Sequence, residues 1–178
     1  MNAEHLIGDE PFIYTFADDF IVAEPSRFKQ MIDVYEKTGS SVLTCIRIEK
    51  DEDYKRYGIV AGEEVEDGML RISTIVEKPG KADAPSNLAS VSGYLFTPEI
   101  FAYLNKAKEN LSDEQEFYAQ FGMQLMINDG KTLLAYEVKN GKYYDTGNKL
   151  EYLKTVVDFA LKHDDIKDEF ATYLKSIV

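Results

Sequence analysis

Three places in the sequence set charged side chains at the end of an apolar run, where a folded chain can offer them to a ligand. Asp18 and Asp19 follow Phe12-Ile13-Tyr14-Thr15-Phe16-Ala17. That run reads as a buried strand, and carboxylates beyond a strand's end suit a hard cation such as magnesium. By spacing alone, a solvated acidic loop, or Asp18 capping the next turn, is the more economical reading. Glu77-Lys78-Pro79 ends a second run. A lysine near a phosphate is a mobile point charge, and a glutamate can accept from two sugar hydroxyls; a surface ion pair is the commoner arrangement. Alternation along a strand sends Glu77 and Lys78 to opposite sides unless the turn into Pro79 swings one round. Tyr144-Asp145-Thr146-Gly147 precedes a helix. Either Asp145 or Thr146 caps that helix, or Asp145 turns away and serves as a second metal carboxylate. Gly58 and Gly93 interrupt strands, which marks a bulge or a close approach by a ligand or another backbone.

Other reactive types offer less. His5 and His163 stand in no triad-like arrangement, and Cys45 lies in an apolar strand, where it reads as core. A single cysteine excludes a disulfide framework and a Cys-based zinc cluster, and fits a reducing cytoplasm. With 32 Asp and Glu against 20 Lys and Arg, the chain carries a net charge of −12, which argues against non-specific nucleic-acid binding. No apolar run approaches a membrane span, and no signal segment opens the chain. A local lysine or a bound divalent cation still lets an acidic protein take a phosphorylated small molecule.

The elements that must position these residues follow from periodicity. At 178 residues one domain is expected, with a core large enough to need no staples. Residues 12–16 predict a strand, Ser26 onward a helix with Phe28, Met31, Ile32 and Tyr35 on one face, and Ser41–Ile48 another strand. This strand–helix–strand is the unit of a parallel sheet. Residues 57–61 and 69–77 resemble a hairpin, 79–87 a surface loop, and 88–96 a strand broken by Gly93. Thr97 and Pro98 open a helix, and a second runs from Asp113 to Ile127. Residues 132–138 predict a strand, Asn140-Gly141 a hairpin, and 148–178 a helical tail striped by Leu150, Leu153, Val157 and Ala160.

In order along the chain, Leu6-Ile7-Gly8-Asp9-Glu10-Pro11-Phe12, Ala17-Asp18-Asp19, Tyr57-Gly58-Ile59-Val60, Ile75-Val76-Glu77-Lys78-Pro79, Ala84-Pro85-Ser86-Asn87-Leu88-Ala89, Thr97-Pro98-Glu99-Ile100-Phe101 and Tyr144-Asp145-Thr146-Gly147 closely resemble the bacterial UTP–glucose-1-phosphate uridylyltransferases, within the sugar nucleotidyltransferases. The resemblance implies an α/β fold, a Rossmann-like mixed sheet of the nucleotide-diphospho-sugar transferase type. It implies attack by glucose 1-phosphate on the α-phosphorus of UTP, giving UDP-glucose and pyrophosphate. By the same resemblance Asp18 and Asp145 hold Mg²⁺, Glu77 accepts from the sugar, and Lys78 faces its phosphate. Gly58 and Gly93 then lie where the backbone nears the sugar.

The family's opening Gly-x-Gly-Thr-Arg loop and its uracil-reading segments do not occur here, and its Gly-Glu-Ile-Gln-Leu-Thr-Asp stretch is at best diverged around Asp113–Leu125. The expectation is therefore a fold incomplete at its N-terminus, the sugar-phosphate and metal part of the enzyme, cytoplasmic, and weak or inactive alone. It would self-associate or pair with a preceding segment to cover the Asp18 strand. The alternative is a non-catalytic sugar-nucleotide-binding or assembly module of the same fold.

Overall fold

Ser26 begins the first long helix by accepting the Lys29 backbone N–H, and Gly39 ends it in the left-handed region at φ 65°. The computed structural model describes residues 2–112 and 115–177. In chain order it runs α1 (Glu4–Ile7), β1 (Phe12–Tyr14), β2 (Asp19–Ala23), α2 (Arg27–Thr38), β3 (Ser41–Arg47), a 3-10 turn (Asp53–Lys55), β4 (Gly58–Glu66) and β5 (Met69–Glu77). It continues with β6 (Leu88–Phe96), α3 (Ile100–Glu109), α4 (Ala119–Asn128), β7 (Leu133–Glu137), β8 (Gly141–Asp145), α5 (Lys149–Ala160) and α6 (Lys167–Ile177).

Six strands form a mixed sheet in the order β1-β6-β3-β7-β5-β4, and β4 pairs back onto β6. β6, β3, β7, β5 and β4 thus close a ring, with β1 attached outside it. The β3–β7 pair is parallel and the others are antiparallel. β1 and β3 do share a direction, as the strand–helix–strand pattern predicts, but β6 lies between them. The fold class is the mixed α/β arrangement expected.

Alternation along β3 explains the layers. Leu43 and Cys45 face a core with Phe101, Met123 and Met126 of α3 and α4. Val42 faces the opposite core, with Met31 and Val34 of α2. Each fully buried large side chain contributes about 1.5–3 kcal/mol of transfer free energy. A third cluster, Ile21, Ile48, Tyr54, Ile59, Ala89 and Val91, lies beneath the loops that carry the charged residues.

Four local expectations change. Asn140 does turn the chain, at φ 51°, but β8 does not return along β7. Both edges of β7 are taken by β3 and β5, so β8 pairs with β2 in a separate two-stranded sheet. The second helix begins at Ala119 rather than Asp113; Asp113 and Glu114 lie outside the described residues. The Thr97 side chain does not cap the helix, because its hydroxyl, like its N–H, faces Ser41 Oγ, at 3.3 and 3.0 Å. On α5, Phe159 makes the contacts, packing against Phe20 and Tyr144. Leu150 and Leu153 are about 60% exposed, and α6 buries none of its described residues. Among the described residues no helix is long and apolar enough to cross a membrane.

Candidate functional site

The site lies where β6 changes neighbours. Leu88, Ala89 and Ser90 pair with β4, whereas Tyr94, Leu95 and Phe96 pair with β1 on that same side. Between them the strand bulges, with Ser92 at φ 63° and Gly93 at φ 121°. Open sheets bind ligands where neighbouring strands part. Here the parting leaves a cleft of about 310 Å³ between the end of β1 and the start of β4.

The bulge is held by buried polar groups. Arg27, 4% exposed, donates to the Ser92 carbonyl and, at 2.5 Å, to Thr15 Oγ1. Thr44 donates to the Gly93 carbonyl at 2.9 Å. Asp19 Oδ2 accepts from the Ser92 N–H at 2.9 Å and from the Tyr143 hydroxyl at 3.1 Å. Burial pushes the Asp19 carboxyl above the usual aspartate range, and those two donors pull it back. Asp19 therefore works inward, on the backbone, and leaves Asp18 facing the cleft.

Asp145 arrives from the far end of the chain. The β2–β8 ladder sets Asp19 opposite Asp145, and one residue on, the Thr146 N–H and hydroxyl both donate to the Asp18 carbonyl at 2.7 Å. The capping competition is resolved by Asn148, whose Oδ1 accepts from the Leu150 and Glu151 N–H groups. Asp145 keeps one bond of this kind, its Oδ1 accepting the Asn148 N–H at 3.1 Å. Its Oδ2 takes the Tyr57 hydroxyl at 3.0 Å and an ion pair from Arg56. A Cβ on Gly147 would meet Asp18 Oδ2 at 3.1 Å and Asp145 Oδ1 at 3.3 Å. Gly147 is outside the left-handed region, so its lack of a side chain serves space rather than conformation. Two carboxylates flanking one small void suit a hard divalent cation completed by phosphate and water. Among the described residues no group of three or more His, Cys, Asp or Glu could hold a metal.

The opposite wall carries Glu77 and Lys78. Lys78 takes φ 47°, and this left-handed step swings its side chain back, so Nζ ends 3.6 Å from Glu77 Oε1. Burial raises the Glu77 carboxyl above the ordinary glutamate range, and Lys78 opposes the rise. Gln120 Nε2 donates to Glu77 Oε2 at 2.8 Å. A Cβ on Gly58 would stand 3.0 Å from that same oxygen, so Gly58 keeps this corner open.

Asp18, Gly58, Glu77, Lys78 and Asp145 therefore line one cleft. Gly93 does not: it is buried, and a side chain there would run into the Tyr14 carbonyl and Thr15 Cα. Its close approach is to β1. Arg56, Tyr57, Gln120 and Tyr143 join the cleft without having been singled out from the sequence. Tyr57 sits beside Gly58, which could have drawn attention to it. Tyr143 precedes the Tyr144-Asp145 pair in the same way. Arg56 and Gln120 carry no comparable signal.

Residues 1–162 match the nucleotidyl transferase family. The chain is 35% identical over 181 residues to the UTP–glucose-1-phosphate uridylyltransferase of Bacillus subtilis (strain 168), covering 99% of this chain and 59% of that protein. It is 36% identical over 179 residues to a UTP–glucose-1-phosphate uridylyltransferase 2 of Streptococcus pyogenes serotype M1, covering 98% and 58%. Among solved structures, a UDP-glucose pyrophosphorylase complexed with UDP-glucose superposes with a TM-score of 0.83 at 34% identity, covering 90% of this chain and 60% of that one. The chain thus spans less than two thirds of the length of these relatives.

Proposed function

The chain belongs to the nucleotidyl transferase family, and from that premise we propose that it carries the metal and sugar-phosphate side of a UTP–glucose-1-phosphate uridylyltransferase site. Its ligands are then UDP-glucose, glucose 1-phosphate and UTP, and its cofactor Mg²⁺. The observation that carries the reading is the meeting of Asp18, Asp145, Glu77 and Lys78 in one cleft.

In the reaction, a phosphate oxygen of glucose 1-phosphate bonds to the α-phosphorus of UTP, and the bond to pyrophosphate breaks. Such a transfer depends on positioning and charge neutralisation. Glu77, steadied by Gln120, accepts from sugar hydroxyls. Lys78 sets its ammonium against the sugar phosphate. Asp18 and Asp145 would hold Mg²⁺, which supplies positive charge to phosphate oxygens when bound. Gly93 acts on this site indirectly, by letting β1 lie against the β6 bulge. Residues 148–177 form a helical extension of the same unit rather than part of the cleft, apart from their proximity to Gly147.

Among the described residues no strand pairs with the outer edge of β1, and such an edge favours association, either with a second copy or with a further segment of polypeptide. Such association, and a cytoplasmic location, belong to the same proposal. A binding module without turnover is the second reading, favoured by the Arg56 ion pair that already occupies Asp145.

Calorimetry with UDP-glucose and Mg²⁺ tests the proposal. Binding is expected to need Mg²⁺ and to be lost in Asp18→Asn and in Asp145→Asn. Binding indifferent to all three would overturn the metal assignment, and UDP-glucose binding by a chain that releases no pyrophosphate from UTP and glucose 1-phosphate would favour the module.

A further inference from the structure

Three acidic side chains, Asp18, Asp19 and Asp145, share one corner, and among the described residues the only ion pair to any of them is Arg56 with Asp145. Asp19 has Tyr143 and a backbone N–H. Asp18 has no Lys or Arg within ion-pair distance among the described residues. Arg56 is also placed to leave. Its side chain is 31% exposed, follows the short 3-10 turn, and already lies 3.5 Å from Asp53 on its other side. It stands between two clefts: the one described above and an adjoining one of about 270 Å³ that Asp53 and Glu151 line.

We infer that Arg56 is the exchangeable cation of this site. It neutralises Asp145 while no divalent ion is bound, and gives up Oδ2 to an arriving ion by swinging to Asp53 and Glu151 in the adjoining cleft. The physical reason is charge balance. Two carboxylates converging on one void repel, and a guanidinium on one of them offsets that repulsion. A divalent ion offsets it better and makes the guanidinium redundant. The swing is short because the second carboxylate lies within reach of the same planar fork. The inference rests on the carboxylate-pair reading, and it makes metal affinity depend on a residue that binds no metal.

The test is Mn²⁺ titration of the full chain, followed by electron paramagnetic resonance, with no nucleotide present. Arg56→Gln should tighten Mn²⁺ binding roughly two- to fivefold, since it removes the competitor. Asp53→Asn should weaken it about two- to threefold, since it removes the landing place, and this effect should vanish in the Arg56→Gln background. Lys50→Gln, which removes a charge from the same adjoining cleft, should leave affinity unchanged. Thermal unfolding of each variant identifies any that is misfolded, and Arg56→Lys, which keeps a weaker competitor, should fall between wild type and Arg56→Gln. Equal affinity in wild type and Arg56→Gln, or weaker affinity in the variant, overturns the exchange while leaving the carboxylate pair standing. A matching gain in Lys50→Gln also overturns it, since a general field would then suffice. No Mn²⁺ binding in any form overturns the pair and the exchange together.

Discussion

Asp19 sits opposite Asp145 in the β2–β8 ladder. Like charges placed opposite one another in a sheet repel, and the two carboxylates are separated by what they bind. Asp19 is drawn inward by Ser92 and Tyr143, and Asp145 is drawn outward by Arg56 and Tyr57. The neighbouring Asp18 is thereby left to share the Gly147 void with Asp145.

Gly147→Ala should abolish or severely weaken Mn²⁺ binding, by about tenfold or more, while leaving the fold intact. The methyl group would stand among the carboxylate oxygens, whereas the backbone there tolerates alanine. Circular dichroism checks the fold, and magnetic resonance of Mn²⁺ checks the site. Wild-type affinity in this variant would show that the ion sits elsewhere.

Gly93→Ala should act on stability. The residue takes φ 121°, and its Cβ would collide with β1 backbone. A loss of about 3 kcal/mol or more is expected in urea unfolding. A stable variant with weakened UDP-glucose binding would instead return Gly93 to the ligand surface.

Arg27→Met should cost about 1–2 kcal/mol, because it leaves the Ser92 carbonyl with the Thr15 hydroxyl, at 3.0 Å, in place of two side-chain donors and lets the bulge relax. Denaturant midpoints measure it. The change should also raise the ligand dissociation constant, since the bulge sets the distance between β1 and β4.

Glu77 sets a pH dependence. Burial raises its carboxyl value, so the folded chain holds that proton to higher pH than the unfolded chain does. Stability from this group is therefore present at acid pH and lost as pH rises through the raised value. Glu77→Gln should melt higher than wild type at neutral pH, with the gap closing as pH falls. Sugar binding runs the other way: it needs the charged acceptor and should weaken as pH drops, at a higher pH than an ordinary glutamate would set. Melting curves and glucose 1-phosphate titrations from pH 4 to 8 follow both.

How far the sequence led depended on what local pattern encodes. Asp18 and Asp145 were candidates by their place beside turns, but spacing alone favoured a loop or a cap, and only the family resemblance made them a pair. The stop at Gly39 and the cap at Ser26 were legible from the residues themselves. Arg56 was not, because its importance comes from Asp145, and no periodicity links a 3-10 turn to a strand so distant in sequence. The partner of β8 was equally hidden. Asn140 announces a turn, but only occupancy of both β7 edges decides that β8 must pair elsewhere. Gly93 was marked correctly as a close approach, and the approaching group could not be named until β1 was placed.

The pairing of β2 with β8 also sets a timetable. β2 leaves the ribosome early and must wait for residues 141–145 before its ladder can form. Long-range pairing of this kind slows folding, since the loop between the strands must close first. During synthesis the nascent chain can assemble much of its main sheet, yet the corner that joins Asp18 to Asp145 appears only once β8 has emerged. A translation product stalled before that strand would accumulate as an ordered but empty scaffold.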